Sequence, residues 1–272
     1  MTSFKTTLRW APLLLGLLAG YARADQALWE VGLGVGGLRL QHYRGSDQAR
    51  SLVLPVPYGV YRGQIFRANR DGARAVLFDG DRFDFDVSSA LTPPTRSADN
   101  RARAGMPDLA PTLELGPNLN FNLARSALWK VDLRLPARAV FTVQSQPQSL
   151  GWTVSPVVNL DLKWQGWDIG LQGGPVWGAR NYHRYFYDVA PAYANTARPA
   201  YAAQGGQGGW RLTTGASRRF GSLWVGAFVR ADSVAGASFE ASPLVKQRSH
   251  LGFGLAVSWV FATSDQRVSD ER

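Results

Sequence analysis

Runs of strict two-residue alternation constrain this chain more than any other feature. In the last such run Leu251, Phe253, Leu255, Val257, Trp259 and Phe261 share one side, and His250, Gly252, Gly254, Ala256, Ser258 and Val260 share the other. Successive side chains of a β-strand point to opposite faces, so one face is wholly apolar and the other mostly small. Leu113–Leu123, Trp129–Phe141, Trp152–Trp164 and Leu223–Ala231 repeat the pattern. A soluble sheet with its apolar face inward would alternate too. These runs, however, are about 11–14 residues long, against ~5–6 for a common strand and ~9–11 for a tilted strand that crosses a bilayer. The length predicts an all-β fold, a transmembrane antiparallel β-barrel with lipid outside. Charges on the alternate face then point into the lumen, because a cation at mid-bilayer costs ~2–4 kcal/mol.

Ten strands are expected, at roughly 28–42, 52–68, 72–88, 110–124, 127–143, 150–164, 166–178, 208–219, 222–233 and 250–261, with twelve as the alternative. The first three are the least regular. Gly36-Gly37 points to a bulge, Pro55 and Pro57 disturb the second strand, and Asp79 and Asp81 disturb the third. Short turns follow the even strands, at Asn69-Arg70-Asp71, Arg125-Ser126, Gln165 and Phe220-Gly221, while longer connections follow the odd ones. Short periplasmic turns alternating with long external loops are the habit of outer-membrane barrels. Trp129, Trp164, Trp167, Phe220, Trp224, Trp259 and Phe261 gather toward the short-turn end, where an aromatic belt meets the headgroups.

Residues 1–24 read as a cleaved signal peptide: Lys5 and Arg9, an apolar stretch from Trp10 to Ala19, then Ala22-Arg23-Ala24. Cleavage after Ala24 lowers the net charge from +10 to +7. The barrel is expected over 25–261, followed by a polar periplasmic tail, 262–272. The chain has no cysteine, which excludes a disulfide scaffold, thiolate metal sites and a cysteine nucleophile. No cofactor is implied.

The lumen face offers Lys130, Arg134, Arg138, Arg211, Arg219 and Arg230, with Glu114, Asp132 and Asp161 among the acids. A barrel of about ten strands is little wider than its side chains, so these charges are expected to pair across the lumen. The alternative is a narrow pore preferring anions. Arg96, Arg101, Arg103, Arg180, Arg184 and Arg198 lie in the long outer loops, where lipopolysaccharide phosphates are the natural anions. Nucleic acid is not expected as a partner, because the cations alternate with apolar residues and the chain is exported. His42, Ser46 and Asp47 include the residue types of a nucleophile and base, but six consecutive loop positions rarely make triad geometry, and no catalytic residue is assigned. Gly32, Gly34 and Gly36 lack the Lys-Ser/Thr and following helix of a phosphate loop.

Several stretches, in order, resemble the MipA/OmpV family of outer-membrane proteins. Gly32-Leu33-Gly34-Val35-Gly36 followed by Tyr43, Gly45, Ser46 and Asp47 is similar to its first strand and loop. Leu54-Pro55-Val56-Pro57-Tyr58, then Tyr61-Arg62, is similar to its second strand. Tyr185 through Tyr201 resembles its tyrosine-rich loop, and Ser242-Pro243 its closing loop. Residues 88–112 match least. The resemblance implies a scaffold linking a murein-degrading lytic transglycosylase to a murein-synthesising penicillin-binding protein; other members are regarded as porin-like.

Overall fold

The computed structural model describes residues 26–63, 66–69, 72–80 and 82–268. The expected signal segment 1–24, Arg70, Asp71, Asp81 and tail residues 269–272 lie outside them. The alternating runs form β1 (Trp29–Gln41), β2 (Ala49–Arg62), β3 (Phe66–Asn69), β4 (Gly72–Asp79), β5 (Phe83–Thr92), β6 (Thr112–Arg125) and β7 (Trp129–Thr142). There follow β8, in two segments (Ser149–Val154 and Val157–Trp164), β9 (Trp167–Gly178), β10 (Gly206–Phe220), β11 (Leu223–Ser233) and β12 (Ser249–Thr263). All pair antiparallel with their sequence neighbours, and β12 pairs with β1 to close the sheet into a cylinder.

The described residues thus give twelve strands, the alternative count. The expected second strand breaks after Arg62 and the third after Asp79, each next to a glycine (Gly63, Gly80), so β3 and β4 add a short hairpin. β8 counts once because Ser155-Pro156 only interrupts it; both segments pair with β7. Pro156 has no N–H for a ladder, and its carbonyl comes so near Gly174 that a Cβ there would lie 1.9 Å from the oxygen.

The expected bulge at Gly36-Gly37 is absent from β1, whose register with β2 runs unbroken from Trp29 to Gln41. Leu38 and Leu40 stay in phase and fill space over Gly254 and Gly252. The irregularity sits across the seam, between Val260 and Ala262 of β12.

The outward faces carry exposed Leu33, Val35, Leu115, Leu171, Leu212, Val229, Leu251 and Leu255, an apolar band for hydrocarbon. Trp29, Tyr61, Trp129, Trp164, Phe220, Trp259 and Phe261 are exposed toward the short-turn rim. Trp224 instead faces the lumen against Tyr58, with ring centroids 5.5 Å apart. The turn after β8 is two residues, Gln165 (φ 49°) and Gly166 (φ 80°), and two positive φ values match the twist of a tight hairpin. No described helix is long and apolar enough to cross a membrane.

Candidate functional site

The lumen charges gather in pairs and clusters. On β7, Asp132 is 1% exposed and holds Arg134 Nε at 2.6 Å and Lys130 Nζ at 3.9 Å. Arg134 also reaches Asp161 on β8 at 3.5 Å. Arg138 donates from Nε to Ser88 Oγ at 3.0 Å and lies 4.0 Å from Glu114. Nearer the outer end, Asp232 on β11 meets Arg44 (3.0 Å), Arg211 (3.0 Å) and Arg230 (2.9 Å), with His250 Nε2 at 3.7 Å. One carboxylate facing three guanidiniums leaves this level of the lumen net positive.

Between these groups lies a chamber of about 670 Å³. Arg134, Arg138, Arg211, Asn118 and Asn159 line one side, and Leu54, Pro55, Val56 and Pro57 of β2 the other. At the inner end Glu30 pairs with Arg62 at 3.0 Å and with Arg219, beside the Tyr58–Trp224 contact. Gly32 and Gly34 bring β1 against β12: a Cβ on Gly34 would lie 2.1 Å from the Val257 oxygen.

The outer end is covered by a cap. The loop 42–48, the connection 93–111, the connection 179–205 and the loop 234–248 share a buried core of Tyr43, Leu109, Phe186, Tyr187, Val189, Val234, Phe239 and Leu244. Within it, α1 (Arg180–Tyr187) stands where sequence predicts only loop. Its missed signal is Tyr182, Phe186 and Tyr185 at helical spacing. Tyr187 stacks on Phe239, centroids 3.6 Å apart and 8° from parallel.

Three of the motif loops meet here. Tyr43 Oη donates to the Leu244 carbonyl (2.8 Å), Tyr187 Oη to that of Arg44 (2.9 Å), and Ser242 Oγ to that of Tyr187 (2.8 Å). Gly45, at φ 90°, presents its carbonyl to Lys246 N, and Tyr185 Oη donates to Ala110. Tyr201 pairs with Val189 and Asp47 with Arg101, while Pro243 follows Ser242 in the same turn. Tyr58 and Arg62 lie at the inner end and Tyr61 on the outer surface. Burial pushes the Tyr43 and Tyr187 phenols well above the ordinary range.

Two of the outer-loop arginines do not face lipopolysaccharide. Arg103, 3% exposed, donates to the Phe186 and Pro107 carbonyls, and Arg198 to those of Tyr193, Ala102 and Ala104. Both tie loop to loop, because a buried guanidinium needs several acceptors. Arg101 and Arg184 stay exposed.

The cap brings His42 and Ser46 together through Asn100, which sequence reasoning did not single out. Asn100 Nδ2 donates to His42 Nδ1 at 3.1 Å and to Ser46 Oγ at 3.0 Å. An amide nitrogen only donates, so His42 Nδ1 is the bare acceptor. Ser46 Oγ turns to the Gln48 carbonyl at 3.1 Å and is wholly buried. Among the described residues the hydroxyl is hydrogen-bonded to backbone and amide groups and to no base. Burial first, then Arg50, lowers the His42 pKa; burial first, then Arg44, lowers that of His183, against the hydrogen bond to Gln204. Among the described residues no group of three or more metal-ligating side chains is placed to hold an ion.

Comparison with solved structures finds barrels from outer membranes. The COG4313 outer membrane channel from Pseudomonas putida F1 is 12% identical, covers 88% of this chain and 98% of its own, and gives a TM-score of 0.44. The CymD monoaromatic hydrocarbon channel is 11% identical over 87% and 89%, with a TM-score of 0.39. Outer membrane phospholipase A from Escherichia coli is 10% identical over 85% and 92%, with a TM-score of 0.33. No curated protein matches the chain. The family profile described as MltA-interacting protein MipA matches residues 33–261, from within β1 to the aromatic near the end of β12. The chain belongs to the MipA family and is an outer-membrane β-barrel protein of Gram-negative bacteria.

Proposed function

We propose that this chain is a non-catalytic anchor that holds a lytic transglycosylase, in turn linked to a penicillin-binding protein, at the outer membrane. The family name supplies the class of partner. The observation that carries the reading is that both ends of the described chain meet at the short-turn rim. Gln26 pairs with Val268 and Ala27 with Arg267 in a small ribbon outside the cylinder. Leu28 N donates to Gln266 O, Ser264 N to Trp29 O, and Arg62 Nη1 to the Ala27 carbonyl. Short turns alone offer little periplasmic surface, and the ribbon adds an ordered, polar edge. A lumen crossed by ion pairs inside and a cap outside fits an anchor better than a conduit.

Detergent extraction followed by affinity capture tests this. Wild type is expected to retain a lytic transglycosylase of the MltA type. Leu28→Pro, which removes the N–H that donates to the Gln266 carbonyl, is expected to reduce retention at least tenfold while the barrel still folds. Equal retention by that variant, or none by wild type, would refute docking at the ribbon.

The alternative is a small porin-like channel for anionic or small polar solutes. The arginine-lined chamber favours it; discrete conductance would support it.

A further inference from the structure

We propose that the lumen chamber binds a single-tailed amphipathic anion that enters sideways from the bilayer, through a window between β2 and β5. The proposal is independent of docking at the rim.

The window follows from strand pairing. β3 joins β2 only at Tyr61 and Arg62. Among the described residues, Ala49–Val60 pair with β1 and with no second strand. On the facing side, β5 pairs with β4 only from Asp84 to Ser88, leaving Ser89–Thr92 joined to β6 alone. Arg50 Nη1, donating to the Pro94 carbonyl, spans the gap above, and the β3–β4 hairpin closes it below.

Sequence chemistry agrees. The register with β1 runs unbroken through Pro55 and Pro57, so the donors these prolines lack are those that would face a second neighbour. An open edge does not survive against hydrocarbon unless it borders a cavity. This one does. Leu54, Pro55, Val56 and Pro57 of β2 and Ser88 and Ser89 of β5 line the chamber, so it borders both unpaired edges.

The chamber's two sides differ in chemistry. The β2 flank of the window is apolar, and the β5 flank carries Asp86, Ser88 and Ser89. The far side holds Arg211, whose Nε donates to Asp232. Its two terminal nitrogens have no partner among the described residues, and the side chain is 40% exposed, into this space. Arg138 stands near it and reaches Ser88 at the window's lip. A guanidinium fork with free donors takes a carboxylate or phosphate in two parallel bonds. A volume of about 670 Å³ lies in the range that encloses one small ligand. An entry apolar on its β2 flank, an anionic seat and the volume together fit a single acyl chain with a charged head.

Dodecanoate is the probe. Refolded protein in non-ionic detergent is expected to bind one dodecanoate per chain by calorimetry, at least tenfold more tightly than dodecanol or acetate. Arg211→Gln leaves Asp232 paired with Arg44 and Arg230 and is expected to weaken binding at least tenfold, with Arg211→Lys in between. Heat-modifiable gel mobility confirms that each variant is folded. The chain has no native cysteine, so Leu54→Cys takes one fluorophore at the window. Lipids with a spin label in mid-chain are expected to quench it, and dodecanoate to relieve the quenching. No saturable binding, equal binding by Arg211→Gln, equal binding of acetate, or a fluorophore shielded from the labelled lipid would each overturn the proposal. The last outcome would mean that another strand fills the gap.

Discussion

Individual residues hold this molecule together where the backbone approaches itself or leaves polar groups buried. Gly34 is one: no side chain fits against the Val257 oxygen at the β1–β12 seam. Gly34→Val is expected to destabilise closure by at least about 1–3 kcal/mol, seen as loss of the fast-migrating folded band in an unheated gel. Arg103 is another. Arg103→Gln strands the carbonyls of Phe186 and Pro107, at about 1–3 kcal/mol for each unsatisfied group, and is expected to expose the cap to protease while the barrel stays intact. His42 and His183 give the cap a pH dependence. Their pKa values lie below the ordinary 6.5 when folded, so an unfolded cap takes up protons that the folded one refuses. Cap stability is expected to be constant above about pH 7 and to fall as the pH drops below 6.5, measured by protease susceptibility; His42→Gln should flatten the curve. The sequence shows His42 and Ser46 as a pair, but Asn100, which joins them, lies in the least familiar stretch of the chain. Arg103 and Arg198 look like surface cations, and only the folded loops reveal them as internal ties.

At the scale of elements, long strands were legible because lipid and lumen impose opposite demands on alternate side chains. The run from Trp129 to Phe141 and that from Leu251 to Phe261 lie within β7 and β12. Where neither demand is strict, alternation weakens. Residues 52–88 read as two strands and fold as parts of four, because Gly63 and Gly80 turn the chain while local hydropathy stays unchanged. Pro55 and Pro57 looked like defects in a strand, yet β2 runs straight through them and they mark its unpaired edge. The cap was the least legible element. Its core comes from four loops far apart in sequence, and no local pattern reports such a meeting. Phe239 is central there, wholly stacked on Tyr187. Phe239→Ala is expected to weaken the cap by about 3–5 kcal/mol. Limited proteolysis should then cut within 179–205 and 234–248 and leave the β-sheet circular dichroism unchanged.

The whole molecule is a cylinder with distinct ends: a hydrophobic cap over the outer mouth, a Glu30–Arg62–Arg219 cluster at the inner one, and a chamber between. Closure into a barrel could be foreseen from strand length and the alternation of short and long connections. The plugging of its mouth could not, since that depends on loops folding over one another. Removing residues 234–248 takes away Phe239 and Leu244, and is expected to unroof the chamber and admit ions to it. Conductance of the refolded protein in planar bilayers tests the central claim most directly. A capped barrel predicts no discrete current steps from wild type at any salt concentration, with steps appearing once the cap is deleted. Regular, salt-dependent steps from the intact protein, shifted by Arg134→Glu, would contradict it and establish an open pore.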